Sequence, residues 1–226
     1  MNYLVLIVDD HPLFRAALRD AVRAVCTDCE FLEADSIASL FDQLDAHPDA
    51  DLLLLDLNLP GAYGFCALAH LRGSHPELPV VVVSALDDRR TVRQALAFGA
   101  QDFISKSANA DRIGRSLHAL LTGENTPTSG FETNADLEVG GEALEVAQRF
   151  AQLTTQQFRV FGMLCAGKLN KQIAHELNIA ETTVKVHMTA ILRKLRAANR
   201  TQAALLARHL LTIPSDLRPP PDETET

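Results

Sequence analysis

Short apolar runs alternate with longer amphipathic stretches through the first half of the chain. YLVLIV (3–8), FLEA (31–34), LLLL (52–55), VVVV (80–83) and DFIS (102–105) are apolar or β-branched and too short for helices. Between them LFRAALRDAVRAV, IASLFDQLDAH, FCALAHLRGS, RRTVRQALAFG and NADRIGRSLHALL repeat apolar residues at helical spacing. Five such strand–helix repeats predict an α/β domain over residues 1–121, a doubly wound, five-stranded parallel sheet of flavodoxin-like type. Residues 122–150 are rich in Gly, Thr and acids without sustained periodicity, and read as a linker. From 151 to 211 the pattern is helical only, which predicts a small all-α domain, and the Pro-rich acidic residues 212–226 read as a disordered tail.

Within the all-α segment, Thr154 followed by Gln157 has capping-box spacing, and Gly167 sits where a helix-ending glycine belongs. Asn170 is expected to cap the next helix, KQIAHEL; a short NIA turn then leads into ETTVKVHMTAILRKL. Helix, tight turn, helix is the helix-turn-helix pattern, whose second helix enters the major groove of double-stranded DNA. On that helix Val184, Met188, Ile191 and Leu195 form the buried stripe, leaving Lys185, Val186, Thr189 and Arg193 on other faces.

Charge sharpens the division. Residues 1–121 carry 10 Lys/Arg against 17 Asp/Glu, and 122–150 carry 1 against 6. Residues 151–211 carry 9 against 2, and the tail carries 1 against 4. Only the third segment is basic, so nucleic acid is a partner for the back half alone. No apolar run approaches the roughly 20 residues of a membrane span, and an acidic pair stands where a secretory signal would end, so a cytoplasmic chain with no membrane partner is expected. Cys26 and Cys29 have C-x-x-C spacing with no second Cys or His pair nearby to complete a zinc site, and are expected as two ordinary thiols.

The ends of the apolar runs carry the chemistry. Ligands of a doubly wound sheet bind outside the carboxyl ends of its strands. There stand Asp9 and Asp10 after the first run, Asp56 after the third, Ser84 after the fourth and Lys106 after the fifth. Three carboxylates converging on one crevice repel unless a cation sits among them, and a hard ion with oxygen ligands, Mg²⁺ above all, relieves that repulsion. Asp56, alone at the end of the most apolar strand, suits the nucleophile that accepts a phosphoryl group, with Asp9 and Asp10 left for the metal and the Asn58 backbone carbonyl as a further ligand. Lys106 and the Ser84 hydroxyl are the catalytic partners that would meet phosphoryl oxygens.

VDDHP, LLLLDLNLPG, VVVSA and DFISKS, in that order, resemble the receiver domain of two-component response regulators. The resemblance implies that Asp56 is phosphorylated by a partner histidine kinase and that Ser84 and Phe103 shift together as a switch. Phe103 lacks the hydroxyl of the tyrosine common there, so its movement would be packing alone. Kinase choice is expected on the first helix, around Phe14 and Leu18. LTTQQFRVFGMLCAGKLNKQIAHELNIAETTVKVHMTAILRKLRAANRTQAALLARHL resembles the DNA-binding domain of LuxR/NarL-type regulators. DNA contacts are expected from Lys171, Thr182, Lys185, Val186, His187, Thr189, Arg193, Lys194 and Arg200, with His187 either on phosphate or at the helix edge. In that family the last helix, here with an apolar stripe at Ala203, Leu206 and Leu210, is similar to the contact that makes a homodimer on DNA. Two departures stand out: Ala180 replaces the usual serine cap of the recognition helix, and Gln157 replaces a glutamate.

The chain is thus expected to be a transcription regulator rather than an enzyme, save for slow hydrolysis of its own aspartyl phosphate. A regulator working without phosphorylation is the alternative. A Mg²⁺-dependent phosphohydrolase of the haloacid dehalogenase type is disfavoured, because Asn58 stands where that chemistry needs a second acid.

Overall fold

The computed structural model describes residues 3–26, 28–59, 64–122 and 140–211. Five strands, β1 (Tyr3–Val8), β2 (Cys29–Ala34), β3 (Leu52–Leu55), β4 (Val80–Ser84) and β5 (Asp102–Ser105), form one sheet. All pair in parallel, in the order β2-β1-β3-β4-β5. Five helices alternate with them: α1 (Pro12–Val25), α2 (Ile37–Ala46), α3 (Gly64–Ser74), α4 (Arg89–Ala97) and α5 (Ala110–Thr122).

The period-two geometry of a strand explains why the central runs are apolar throughout. Leu6, Val8, Leu53, Leu55, Val80, Val82 and Phe103 face a core shared with α2, α3 and α4. Val5, Ile7, Leu52, Leu54, Val81, Val83 and Ile104 face the other way, toward α1 and α5. A parallel sheet covered on both faces leaves no polar side for these strands. The carboxyl ends of β1 and β3 lie side by side at the point where the strand order reverses, so Asp9 and Asp56 flank the crevice there.

The remaining helices are α6 (Gly141–Ala151), α7 (Thr155–Cys165), α8 (Asn170–Glu176), α9 (Glu181–Leu195) and α10 (Arg200–Leu211). α7 opens with the predicted capping box: Gln157 N donates to Thr154 Oγ1 at 3.3 Å and Thr154 N to Gln157 Oε1 at 3.1 Å. Gly167 ends that helix region with φ +80°, a conformation that strains any residue with a Cβ. Asn170 is the first helical residue rather than the cap; the preceding Leu169 N donates to Gln172 Oε1 at 2.8 Å, so a side chain from inside the helix satisfies the terminus.

Helix α6 lies where linker was expected. GEALEVAQRFA places Val146, Ala147 and Phe150 on one buried face, a pattern hidden in the sequence by the Gly-Gly step and acidic residues around it. The rest of the expected linker, 123–139, and the tail 212–226 lie outside the described residues. α6 packs on both α3 and α9, so one apolar core runs from the sheet through α3 and α6 into the helical domain. Cys26 and Cys29, expected as thiols, are disulfide-bonded: the passage from α1 into β2 brings their Cα atoms to 6.1 Å, within bridging range.

Candidate functional site

Each acidic side chain of the crevice is placed by the end of a buried strand. The Asp56 and Asp9 side chains are only 1 % exposed. Asp56 Oδ1 accepts from Asn58 N at 3.0 Å, and Asp9 Oδ1 accepts from His11 N at 2.8 Å, so backbone turns orient both carboxylates. Lys106, carried on the end of β5, reaches over and sets its ammonium 2.8 Å from Asp56 Oδ2 and 2.6 Å from Asp9 Oδ2. Burial alone would lower the Lys106 pKa; hydrogen bonds and charge from Asp56 and Asp9 outweigh it, and the pKa is raised. The ammonium therefore stays charged at neutral pH.

Ligand atoms of Asp9, Asp10, His11 and Asp56 lie within 4.8 Å of one another. Asp9 Oδ2 faces the Lys106 ammonium at 2.6 Å and Asp10 Oδ1 the His11 ring at 2.7 Å, and both oxygens are buried. Carboxylate oxygens of Asp9, Asp10 and Asp56, gathered at the ends of two adjacent strands, fit a hard cation. Asn58 is exposed beside Asp56. Ser84 is fully buried, and its Oγ accepts from Leu86 N at 3.1 Å. Phe103 is fully buried in the core facing α2, α3 and α4.

Sequence reasoning did not connect three neighbours to this site. His11 Nδ1 lies 2.7 Å from Asp10 Oδ1. The Phe14 ring sits 4.7 Å below the Lys106 ammonium, and Arg15 Nη1 donates to the Asp9 carbonyl at 2.6 Å. A His directly after two aspartates, and an aromatic and an Arg one helical turn further on, were the available signals.

A second candidate surface lies on α8 and α9. The stripe Val184, Ile191 and Leu195 is buried and Met188 packs half-buried beside it, so Lys185, Val186, Thr189 and Arg193 are turned outward. Val186 is 67 % exposed. Lys171 and Thr182 are also exposed, while His187 is half-buried. Lys185 has one ion pair, to Glu181 at 3.2 Å, and both side chains are largely in solvent, where such a pair holds weakly. Thr189 Oγ1 donates to the Lys185 carbonyl at 3.0 Å. Two residues expected on DNA are engaged by the domain's own frame. Lys194 Nζ donates to the Gln152 carbonyl and to Gln157 Oε1, both at 2.7 Å, and Arg200 Nη2 donates to the Lys168 carbonyl at 3.1 Å. Ala180 stands before α9 with no side-chain cap, as its sequence implies.

Residues 5–118 match the response regulator receiver domain, and residues 151–207 match the bacterial regulatory proteins of the luxR family. The chain belongs to the LuxR-type response regulators. It is 41% identical over 213 residues to the glycerol metabolism activator of Pseudomonas putida, spanning 91% of this chain and 95% of that protein. Identity to the nitrate/nitrite response regulator NarL of Escherichia coli K12 is 28% over 201 residues, spanning 89% and 93%. Among solved structures, RcsB from Salmonella enterica serovar Typhimurium, bound to promoter P1flhDC in the presence of phosphomimetic BeF3⁻, shares the fold. The TM-score is 0.53 at 20% identity, covering 92% of this chain and all of that one. As a response regulator of this type, the protein joins a receiver to a DNA-binding domain and regulates transcription.

The response regulator's first helix differs in one respect from expectation. Leu18, expected on a kinase-facing surface, is a core residue at 2 % exposure, and Phe14 is half-buried under Lys106. Leu13 is the apolar side chain that α1 presents to solvent, at 88 % exposure. The register of α1 turns Leu18, Ala21 and Val22 onto the sheet, which leaves position 13 on the far face. Among the described residues no helix is long and apolar enough to cross a membrane.

Proposed function

We propose that the protein accepts a phosphoryl group on Asp56 from a partner histidine kinase and, so modified, dimerises and binds promoter DNA. The observation that carries this reading is the Asp56–Lys106–Asp9 cluster at the sheet's switch point, with Asp10 beside it. A carboxylate oxygen of Asp56 attacks phosphorus; the bond from phosphorus to the donor breaks and the electron pair leaves with the donor's nitrogen or oxygen. Lys106 balances the negative charge brought to Asp56. Ser84 Oγ accepts one backbone hydrogen bond and keeps its own proton to donate to a phosphoryl oxygen. Asp9 and Asp10, with Asp56 and the Asn58 carbonyl, would hold Mg²⁺, which supplies positive charge to the phosphoryl oxygens. Phe103, packed in the core, follows Ser84 when the site fills. Slow hydrolysis of the aspartyl phosphate resets the switch. Contacts to DNA fall to the exposed set Lys171, Thr182, Lys185, Val186, Thr189 and Arg193, with His187 at the edge and Lys194 and Arg200 firming the frame behind it.

Asp56→Asn should abolish incorporation of phosphate from acetyl phosphate in Mg²⁺, read by intact mass or radiolabel. A variant that labels as fully as the parent removes Asp56 from the role.

A further inference from the structure

The turn between β4 and α4 carries two aspartates with different partners. Asp88 belongs to the helix: its Oδ1 accepts from Arg90 N at 3.1 Å and from Thr91 N at 3.0 Å, which caps α4. Asp87 turns to the end of β5 instead. Its Oδ2 accepts from Ser105 Oγ at 2.6 Å and from Ser107 Oγ at 3.2 Å. The two serines stand on either side of Lys106. Ser107 N donates to Ser105 Oγ at 3.1 Å, so the Ser105 hydroxyl joins its own turn to Asp87. The hydrogen bond from Ser105, with a smaller one from Ser107, holds the Asp87 carboxyl below the usual carboxylate range, and at neutral pH it acts as an acceptor alone.

The backbone joins the same two segments. Ser84 stands opposite Ser105 in the sheet register, and Lys106 N donates to the Ser84 carbonyl at 2.8 Å. Strand pairing between β4 and β5 ends there, and the Asp87 carboxylate carries the connection one residue further, to Ser107. From this short turn the Lys106 ammonium crosses to Asp56 and Asp9, at 2.8 and 2.6 Å, on the ends of two other strands. A flexible four-carbon side chain keeps a contact at two such points only where its own backbone is fixed. We propose that Asp87 is a positioning residue of the acidic site: by gripping the serines on both sides of Lys106, it fixes the ammonium on Asp9 and Asp56 and presents Lys106 and Ser84 to a phosphoryl group as one unit. The proposal rests on the proposed reading of Asp56 as the acceptor, and Asp87 acts through Lys106.

Loss of the grip has two effects of opposite sign. The Lys106 ammonium offsets part of the negative charge that draws a divalent cation to Asp9 and Asp56, so a Lys106 that swings away leaves these carboxylates more attractive to Mg²⁺. The same movement takes positive charge from the place where a phosphoryl group arrives, and acceptance slows. A variant whose site is merely disordered loses both binding and acceptance.

The test uses the full chain with Asp87→Ala, a change at an exposed position outside both cores. Calorimetric titration should show Mg²⁺ bound roughly threefold more tightly than by the parent, or better. Labelling from acetyl phosphate at saturating Mg²⁺ should slow about fivefold or more. Asp87→Asn keeps an acceptor oxygen for the serines and should bring both values back toward the parent, whereas Ser105→Ala combined with Ser107→Ala should reproduce Asp87→Ala. In a Lys106→Ala background, Asp87→Ala should shift Mg²⁺ affinity no further, the mark of an effect carried by the lysine. The proposal is overturned if binding and labelling fall together, if neither moves, if Asp87→Asn behaves as Asp87→Ala does, or if Asp87→Ala shifts Mg²⁺ affinity equally with and without Lys106. The phosphorylation reading fails separately: the parent would take no label from acetyl phosphate while Asp87→Ala still tightens Mg²⁺ binding.

Discussion

Asp10 differs from its neighbours in the acidic site because the Lys106 ammonium pairs with Asp9 and Asp56 and not with it. Asp9 and Asp56 both hold Lys106 and are nearly inaccessible, whereas Asp10 is 26 % exposed and pairs at 2.7 Å with a histidine that is itself mostly in solvent. Under the proposed reading it is the carboxylate that can take a metal ion without giving up Lys106. Asp10→Ala should weaken Mg²⁺ binding at least tenfold, about 1.4 kcal/mol, with little effect on folding. Titration followed by calorimetry checks this, and unchanged affinity would return Asp10 to the status of a surface acid. The individual site residues were legible from sequence because each follows directly on an apolar run. His11 and Phe14 were visible but unassigned, since a helix can turn either residue toward or away from the strand ends and only its docking decides.

At the scale of one element, α9 shows how a helix divides its labour. Its buried stripe spends the apolar residues on the domain core, and the outward face carries Lys185 in mid-helix with nothing stronger than an exposed pair to Glu181. Lysine is a side chain that can pair with guanine O6 and N7, and the proposed reading gives Lys185 that part. Lys185→Ala is expected to cost roughly 1–3 kcal/mol on a specific duplex and to flatten discrimination against a scrambled one. Binding to both duplexes at several salt concentrations is the measurement. Equal losses on the two would make Lys185 a phosphate contact and shift base reading to Val186 or Thr189. Lys194 marks the limit of such reasoning. Its charge and position suit DNA, but Gln152 and Gln157 lie across the helix start and take its ammonium. Periodicity places a residue on a face; it does not say which neighbouring backbone carbonyl comes within reach.

The whole molecule depends on a contact between domains that includes a titratable ring. His70 is fully buried and, among the described residues, neither ring nitrogen has a hydrogen-bond partner. Burial pushes its pKa down to about 4, and the nearby charges of His75 and Lys194 act in the same direction. A base whose pKa falls on docking favours the docked, neutral form: the contribution is complete above the ordinary histidine value of 6.5 and is lost as pH falls from there toward 4. A difference of that size corresponds to roughly 3 kcal/mol at its limit. Docking should therefore loosen on acidification, with hydrogen exchange in α3 and α6 rising between these values. His70→Phe keeps an aromatic ring against Phe41 and Phe158 and should remove that part of the pH dependence. Parent and variant with identical pH profiles would show that the ring is not what titrates.

From its sequence alone this protein declares an alternating strand–helix segment followed by a helical one, the acidic, hydroxyl and lysine positions at the strand ends, and the buried and open faces of α9. Each of these follows from local physics: strand and helix periods, caps, and charges that must lie near one another once a parallel sheet forms. Tertiary structure alone decided that α6 exists as a packed helix between α3 and α9, that His70 is buried at a domain seam, and that Gln94 and Arg159 reach across it. Those features join residues far apart in the chain. An amphipathic helix face or a lone glycine such as Gly73 has the same local signature whether it meets solvent, a sheet or another domain, and only the assembled surface opposite it says which.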